Sequence, residues 1–528
     1  MEIRVFGPPG TGKTTWLTKQ IQLAIDTRGP DSVLVASFTR AAAHELAGRG
    51  LAIGEHRIGT LHALCYRAIG HPEIAEKHVP EFNKWQSIYE LSTDGADVED
   101  VIEQRYAGRD DATFNQIQVL RAQMVPEEAW PITARALWRY WSNWKREHDY
   151  MDFTDMIVAG IEDMPGAPHS PSIGFFDEVQ DFTPLELTLV RKWAADMEMA
   201  ILAGDDDQCI YSFKGSSPDA FLNPPLPTDQ KRILNQSWRM PGAVHAYTDG
   251  WIKQVKVREP KEFNARAEAG AVRHAPQLTW INPLALLEDA KQYQAQGKSV
   301  MFLSTCAYHL DHLIGEMRKT GEVFHNPYRR KRGDWNPLHA SRGVSTAQRV
   351  LAFLQNRRDI FGDQAHPWTG KDLRFFSALV KKSEVFRSGS EQLIQSIEED
   401  RHATYDELDR LFKDGMQEKV LMQGTDWLAA HALASKAKSL DYPLKVIRYH
   451  GAKRLLERPS IMVGTIHSVK GGEADVVYLF PDLSPGGWAE YEGRGFDSIV
   501  RQFYVGMSRA RDTLIICGPG SDKAVRLP

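Results

Sequence analysis

At 528 residues the chain is long enough for three or four domains of about 150 residues each, and for several hydrophobic cores. Hydrophobic residues make up 42% and charged residues 25%, which excludes a disordered tail or a fibrous repeat. With 64 Lys+Arg against 69 Asp+Glu the formal charge is -5, so a polyanion has to be met by local positive groups rather than by bulk attraction.

Taken in chain order, short apolar runs of strand length fall at Ile3 to Phe6, Val33 to Phe38, Ile173 to Phe176, Met199 to Ala203, Val300 to Leu303, Ile461 to Val463, Val476 to Phe480 and Thr513 to Cys517. Between them lie patterns of 3.6-residue period, such as Leu17, Ile21, Ala24 and Ile25. Strands alternating with helices predict an α/β fold with parallel sheets covered on both faces. Two stretches break the alternation with charged, helical sequence. The expected organisation is a first α/β unit in residues 1–65 and 150–240 with a helical insertion at 66–149, and a second unit in 241–342 and 441–528 with an insertion at 343–440. Pro165 to Pro171 and Pro218 to Pro227 read as surface loops, because proline lacks the N–H that a central strand needs.

Cys65, Cys209, Cys306 and Cys517 form no CxxC pair and are expected as four buried thiols. The start MEIRVFGPPG has neither a basic nor an apolar leader, and no uncharged run approaches membrane-spanning length. A soluble cytoplasmic monomer with no membrane partner is expected. The formal sequon Asn235-Gln236-Ser237 carries no meaning in such a chain.

The strongest local signal is Gly7-Pro8-Pro9-Gly10-Thr11-Gly12-Lys13-Thr14, followed by Thr15, which matches GxxxxGK[ST] between a strand run and a helix pattern. Such a loop turns backbone N–H groups toward phosphate oxygens; Lys13 would reach the β- and γ-phosphates and the Thr14 hydroxyl would ligate Mg2+. The run Ile173 to Phe176 ends in Asp177-Glu178. Asp177 suits the same Mg2+, and Glu178 could orient and deprotonate the attacking water.

The motifs closely resemble the UvrD/Rep/PcrA-like helicases of superfamily 1. Asp177-Glu178-Val179-Gln180-Asp181 is similar to DExQD, Gly204-Asp205-Asp206-Asp207-Gln208-Cys209-Ile210-Tyr211-Ser212-Phe213-Lys214-Gly215 to GDxDQSIYxFRG, and Leu234-Asn235-Gln236-Ser237-Trp238-Arg239 to LxQNYR. Further on, Thr465 to Glu473 is similar to TxHxxKGLE and Gln502 to Ala510 to LxYVxxTRA, while Val35 to Leu46 and Gly59-Thr60-Leu61-His62 match the early motifs. All occur in the family's order, over a little more than half of the chain.

The resemblance implies two RecA-like domains with ATP in the cleft between them. It implies that Gln208 senses the γ-phosphate, that Arg239 and Arg509 act as paired arginine fingers, and that Glu473 contacts the ribose. The family's upstream Gln segment, which reads the adenine edge, has no counterpart in the six residues before Gly7. Its stacking tyrosine is here Trp238, whose larger ring could replace part of that recognition.

A single-strand track needs aromatic faces and polar groups. The motifs offer Phe38, Tyr211 and Phe213 as faces, with Thr39, Arg40, Thr60, His62, His467 and Lys470 beside them. Trp138, Trp141 and Trp144, at helical spacing, are expected to be core instead. Tyr328-Arg329-Arg330-Lys331-Arg332 is the densest basic run and a candidate duplex contact, balanced against a solvated charged face. Asp205-Asp206-Asp207 is read as a turn that places Gln208 rather than as a second metal site, and His309 with His312 lacks a third ligand.

These signals predict an ATP-dependent DNA helicase or single-strand translocase, with 3'-to-5' polarity implied by the resemblance and single-stranded DNA and ss/ds junctions as partners. An ATP-gated clamp or protein-displacing remodeller uses the same motifs, and RNA is a third possible track.

Overall fold

The computed structural model describes residues 1–38, 48, 50–92, 108–326 and 343–528, with 421–423 described by backbone alone. The basic run Tyr328 to Arg332, and Thr39 and Arg40 of the early motif, lie outside the described residues. The chain divides into two compact units: Met1–Arg273 with Pro481–Ile516 and Ser521–Pro528, and His274–Phe480 with Cys517–Gly520.

The first unit is built on a six-stranded sheet of β1 (Glu2–Phe6), β2 (Val33–Ser37), β3 (Ile58–Gly59), β4 (Ile173–Asp177), β5 (Met199–Gly204) and β6 (Lys231–Ile233), in the order β3-β2-β4-β5-β1-β6. Its neighbouring pairs run parallel. Alternation with period two sends Val5, Val33, Val35, Phe175 and Ile201 to one face, where helix α1 (Lys13–Arg28) packs Leu17, Ile21 and Ile25 against them. Phe6, Leu34, Ala36, Phe176 and Leu202 point to the other face. There α2 (Leu61–Ala68) and two later helices cover them with Leu61, Leu64, Met156, Leu189 and Trp193. The near-continuous apolar strands therefore follow from burial on both faces, and they place the strand ends, with their polar residues, at one edge of the sheet.

Within this unit, α3 (Asp111–Ala122) and α4 (Ile132–His148) form a separate small core around Phe82, Ile117, Leu137, Trp141 and Trp144. Trp141 and Trp144 are fully buried and Trp138 packs against them, so this tryptophan face is core as its spacing predicts. A buried ionic knot fastens the core to α5 (Phe153–Glu162). Asp152, the N-cap of α5, accepts from Arg121 at 2.7 Å, Lys145 at 2.6 Å and Trp141 Nε1 at 3.0 Å. Burial alone would raise the Asp152 carboxyl, but the two cations outweigh it and hold it below the usual carboxylate range.

Strands β7 (Ala271–Ala275) and β12 (Ala510–Cys517) lie where the chain passes from one unit to the other. In the second unit, β8 (Val300–Ser304), β9 (Phe324–His325), β10 (Ile461–Thr465) and β11 (Ala474–Leu479) run parallel in the order β11-β8-β10-β9. A distinct all-helical core, from Val350 to Ala452, includes Phe353, Trp368, Phe376, Phe412 and Trp427. Both units are thus α/β with parallel sheets. All four cysteines are buried, and among the described residues no helix is long and apolar enough to cross a membrane.

Candidate active site

The phosphate loop leaves β1 at Gly7, whose N–H donates to Gly204 O of β5 at 2.9 Å. It enters α1 through Gly12, which sits in the left-handed region at φ 75° and gives the helix no side-chain cap. The first N–H groups of α1 therefore face the loop, ready for an anion. The loop is braced from outside. Ser237 Oγ donates to Pro9 O at 2.8 Å, and the Trp238 N–H donates to Gly10 O at 2.8 Å. The approach is so close that a Cβ on Gly10 would fall on the Arg239 Cβ and within 2.8 Å of Ser237 Oγ. This contact sets Trp238 and Arg239 beside the loop, with Trp238 72% exposed.

Lys13 Nζ bridges both carboxylates at the end of β4, reaching Asp177 Oδ1 at 2.8 Å and Glu178 Oε1 at 2.7 Å. Burial would lower the lysine pKa, but the two carboxylates overcome it and hold the ammonium above the ordinary lysine range. Neighbouring residues of a regular strand point to opposite faces; Glu178 instead takes a left-handed conformation at φ 56°, and both carboxylates meet one ammonium. Thr14 and Asp177 suit Mg2+, since hydroxyl and carboxylate oxygens are hard donors and the buried Asp177 carboxylate already takes a cation. Such an ion would neutralise charge on β- and γ-phosphate oxygens.

From Glu178 a chain of hydrogen bonds runs to the next strand end. Gln180 Nε2 donates to Glu178 Oε2 at 2.5 Å, and Gln180 Oε1 accepts from the Asp205 N–H at 2.9 Å. Gln208 Nε2 donates to Asp205 Oδ2 at 2.7 Å, and Arg509 Nη2 donates to Gln208 Oε1 at 3.0 Å. Arg509 follows helix α6 (Phe496–Met507); it is buried, and its Nε is fixed on Val505 O at 2.8 Å.

The acidic triplet behind Gln208 is held by protein cations. Lys261 Nζ lies 3.1, 2.5 and 2.9 Å from Asp205, Asp206 and Asp207, and Arg258 forks onto Asp207 at 2.9 and 2.6 Å. Arg501 Nε donates to Asp206 O at 2.9 Å. The triplet is thus a turn pinned by Lys261, Arg258 and Arg501.

Phe38 and Tyr211 stand 5.4 Å apart between ring centres, Tyr211 and Phe213 5.9 Å apart, and Lys214 Nζ lies 5.6 Å from the Tyr211 ring. Tyr211 and Phe213 are part-exposed rather than core. Thr60 caps α2 by accepting from the Ala63 N–H at 3.2 Å, and His62 lies 3.6 Å from Glu186 with its ring edge-on to the exposed Phe153. In the second unit, His467 is buried and Lys470 half-buried in the turn after β10, and Glu473 is exposed just before β11.

Residues 1–225 match the UvrD/REP helicase N-terminal domain. YjcD of Bacillus subtilis is 27% identical over 286 residues, which cover 49% of this chain and 38% of that protein. DNA helicase II of Salmonella typhimurium is 25% identical over 307 residues, 49% of this chain and 39% of that one. The ATP-dependent DNA helicase PcrA of Staphylococcus epidermidis is 24% identical over 293 residues, 49% and 38%. The chain is similar to the UvrD/Rep/PcrA-like helicases of superfamily 1. Its matched stretch spans about two fifths of the length of these relatives.

The first unit gathers the phosphate loop, Asp177, Glu178, Gln208, Trp238, Arg239 and Arg509, together with Phe38, Tyr211 and Phe213. His467, Lys470 and Glu473 belong to the second unit. Three contributors escaped the sequence reading. Gln180 carried a signal, its place inside the DExQD-like motif; Lys261 and Arg258 carried none, because they meet the Asp triplet across about 50 residues of chain.

Proposed function

We propose that the chain is the motor of an ATP-dependent DNA helicase or single-strand translocase. The observation that best supports this is Lys13 held on both Asp177 and Glu178, beside a phosphate loop braced by the turn of Trp238 and Arg239. Lys13 and the loop amides bind the phosphates of ATP, Thr14 and Asp177 hold Mg2+, and Glu178 takes the proton of the attacking water. Arg239 and Arg509 stabilise charge on the transferring phosphoryl group, Gln208 senses it, Trp238 stacks on the base, and Glu473 is the ribose contact of the family pattern. Phe38, Tyr211 and Phe213, with Thr39, Arg40, Thr60, His62, His467 and Lys470, line the path of single-stranded DNA. Residues 66–149 and 343–440 serve as helical insertions into two RecA-like halves. A 3'-to-5' direction and action at ss/ds junctions accord with the family resemblance.

The test is ATPase turnover with and without single-stranded DNA, run beside strand displacement on duplexes carrying a 3' or a 5' tail. Stimulated turnover with displacement of the 3'-tailed duplex alone is the expected result. Stimulated turnover without displacement would favour the clamp or remodeller, and stimulation by RNA alone would move the track to RNA.

A further inference from the structure

Gln180 is 1% exposed, lies between two strand ends and touches both. Its orientation is fixed by chemistry. The backbone N–H of Asp205 can only donate, so the partner at 2.9 Å has to be the amide oxygen, and the NH2 group is thereby turned onto Glu178 Oε2 at 2.5 Å and Asp181 Oδ2 at 3.4 Å. The space is closed on the far side, where a Cβ on Gly204 would lie 2.5 Å from Gln180 Oε1. Asp205 begins the loop that bears Gln208, Tyr211 and Phe213, and its own carboxylate holds Gln208 at 2.7 Å. A displacement of that loop therefore reaches the Glu178 carboxylate through one rigid amide.

We propose that Gln180 is a positioning residue that holds the Glu178 carboxylate from the root of the Gln208–Phe213 loop, and so sets how strongly an occupied polynucleotide track stimulates hydrolysis. This rests on the motor reading above and adds a route for its coupling. Glu178 Oε2 is retained by Gln180 when Lys13 turns to phosphate, which leaves Oε1 to face the water. The amide supplies no group to the reaction; it fixes where the base stands.

The test compares Gln180→Glu and Gln180→Leu with the wild-type chain in steady-state ATPase assays, with and without a single-stranded oligonucleotide. Gln180→Glu keeps the acceptor for Asp205 and the side-chain shape and replaces the amide donor with a carboxyl that donates to Glu178 only while protonated, so, assayed up to a pH at which it ionises, it reports on that bond even if Gln180→Leu fails to fold. The expected result is a loss of about tenfold or more in DNA-stimulated kcat at unchanged ATP KM, with the ratio of stimulated to basal turnover falling toward one. Stimulated kcat and ratio within twofold of wild type would overturn the proposal, as would a rise in KM with kcat intact. If the wild-type chain itself hydrolyses no ATP, the motor reading fails and takes this one with it. A stimulated wild type beside unaffected Gln180 variants sinks the Gln180 role alone.

Discussion

Arg509 Nη2 donates to Gln208 Oε1 at 3.0 Å, joining two motif residues that are 301 positions apart in sequence. The guanidinium is buried and also held on Val505 O, so its fork is placed before any ligand arrives. Arg509→Lys keeps the charge and loses the fork. We expect ATPase kcat to fall by about 100-fold or more while nucleotide affinity changes little, measured by turnover and by equilibrium titration with a fluorescent ATP analogue. Wild-type turnover in Arg509→Lys would remove the residue from the reaction.

Gly10 has φ +74° and lies against Ser237 and Arg239 without room for a methyl group. Gly10→Ala should carry a backbone penalty of about 1–2 kcal/mol and push the 237–239 turn outward. Nucleotide affinity should fall more than tenfold with a lowered melting temperature. Unaltered affinity would mean that the turn does not shape the loop.

Trp238 is exposed, so its removal tests binding without disturbing a core. For Trp238→Ala, stacking of about 0.5–1.5 kcal/mol predicts a roughly two- to thirteenfold rise in ATP KM and no change in melting temperature. An unchanged KM would show that the base does not rest there.

Burial raises the Glu76 carboxyl to about 7, and the Asp152 charge beside it adds to the effect. Because this folded value exceeds the ordinary 4.5, the folded state binds the extra proton. The stabilisation is fully present below about pH 4.5 and is lost as pH rises through 7. Glu76→Gln should therefore gain on the order of 2–3 kcal/mol relative to wild type between pH 5 and 8, read from chemical denaturation at the two values. A constant difference between the two proteins would reject the assignment.

Much of the fold was legible because parallel strands buried on both faces leave apolar runs: Val33 to Phe38 is β2 at Val33–Ser37, and Met199 to Ala203 is β5 at Met199–Gly204. The edge strand β6, Lys-Arg-Ile with its arginine exposed, has no such run, and β3 and β9 are two residues each. The phosphate loop, Asp177 and Glu178 could be read because loop, strand end and helix are contiguous in sequence. The knot of Lys261 and Arg258 on Asp205 to Asp207 could not, since no local periodicity marks a cation that closes over a turn about 50 residues away. The same limit hid the link from Gln180 to Asp205.

The left-handed backbone at Glu178 makes that position worse for folding, residue for residue, than glycine would be. Glu178→Gly should relax the backbone by about 1 kcal/mol while removing one of the two carboxylates that hold Lys13, and the proposed site would lose its base. Selection for backbone ease alone would therefore drift toward glycine at 178, since any side chain with a Cβ meets the same strain, and a glutamate there accords with the turnover proposed above.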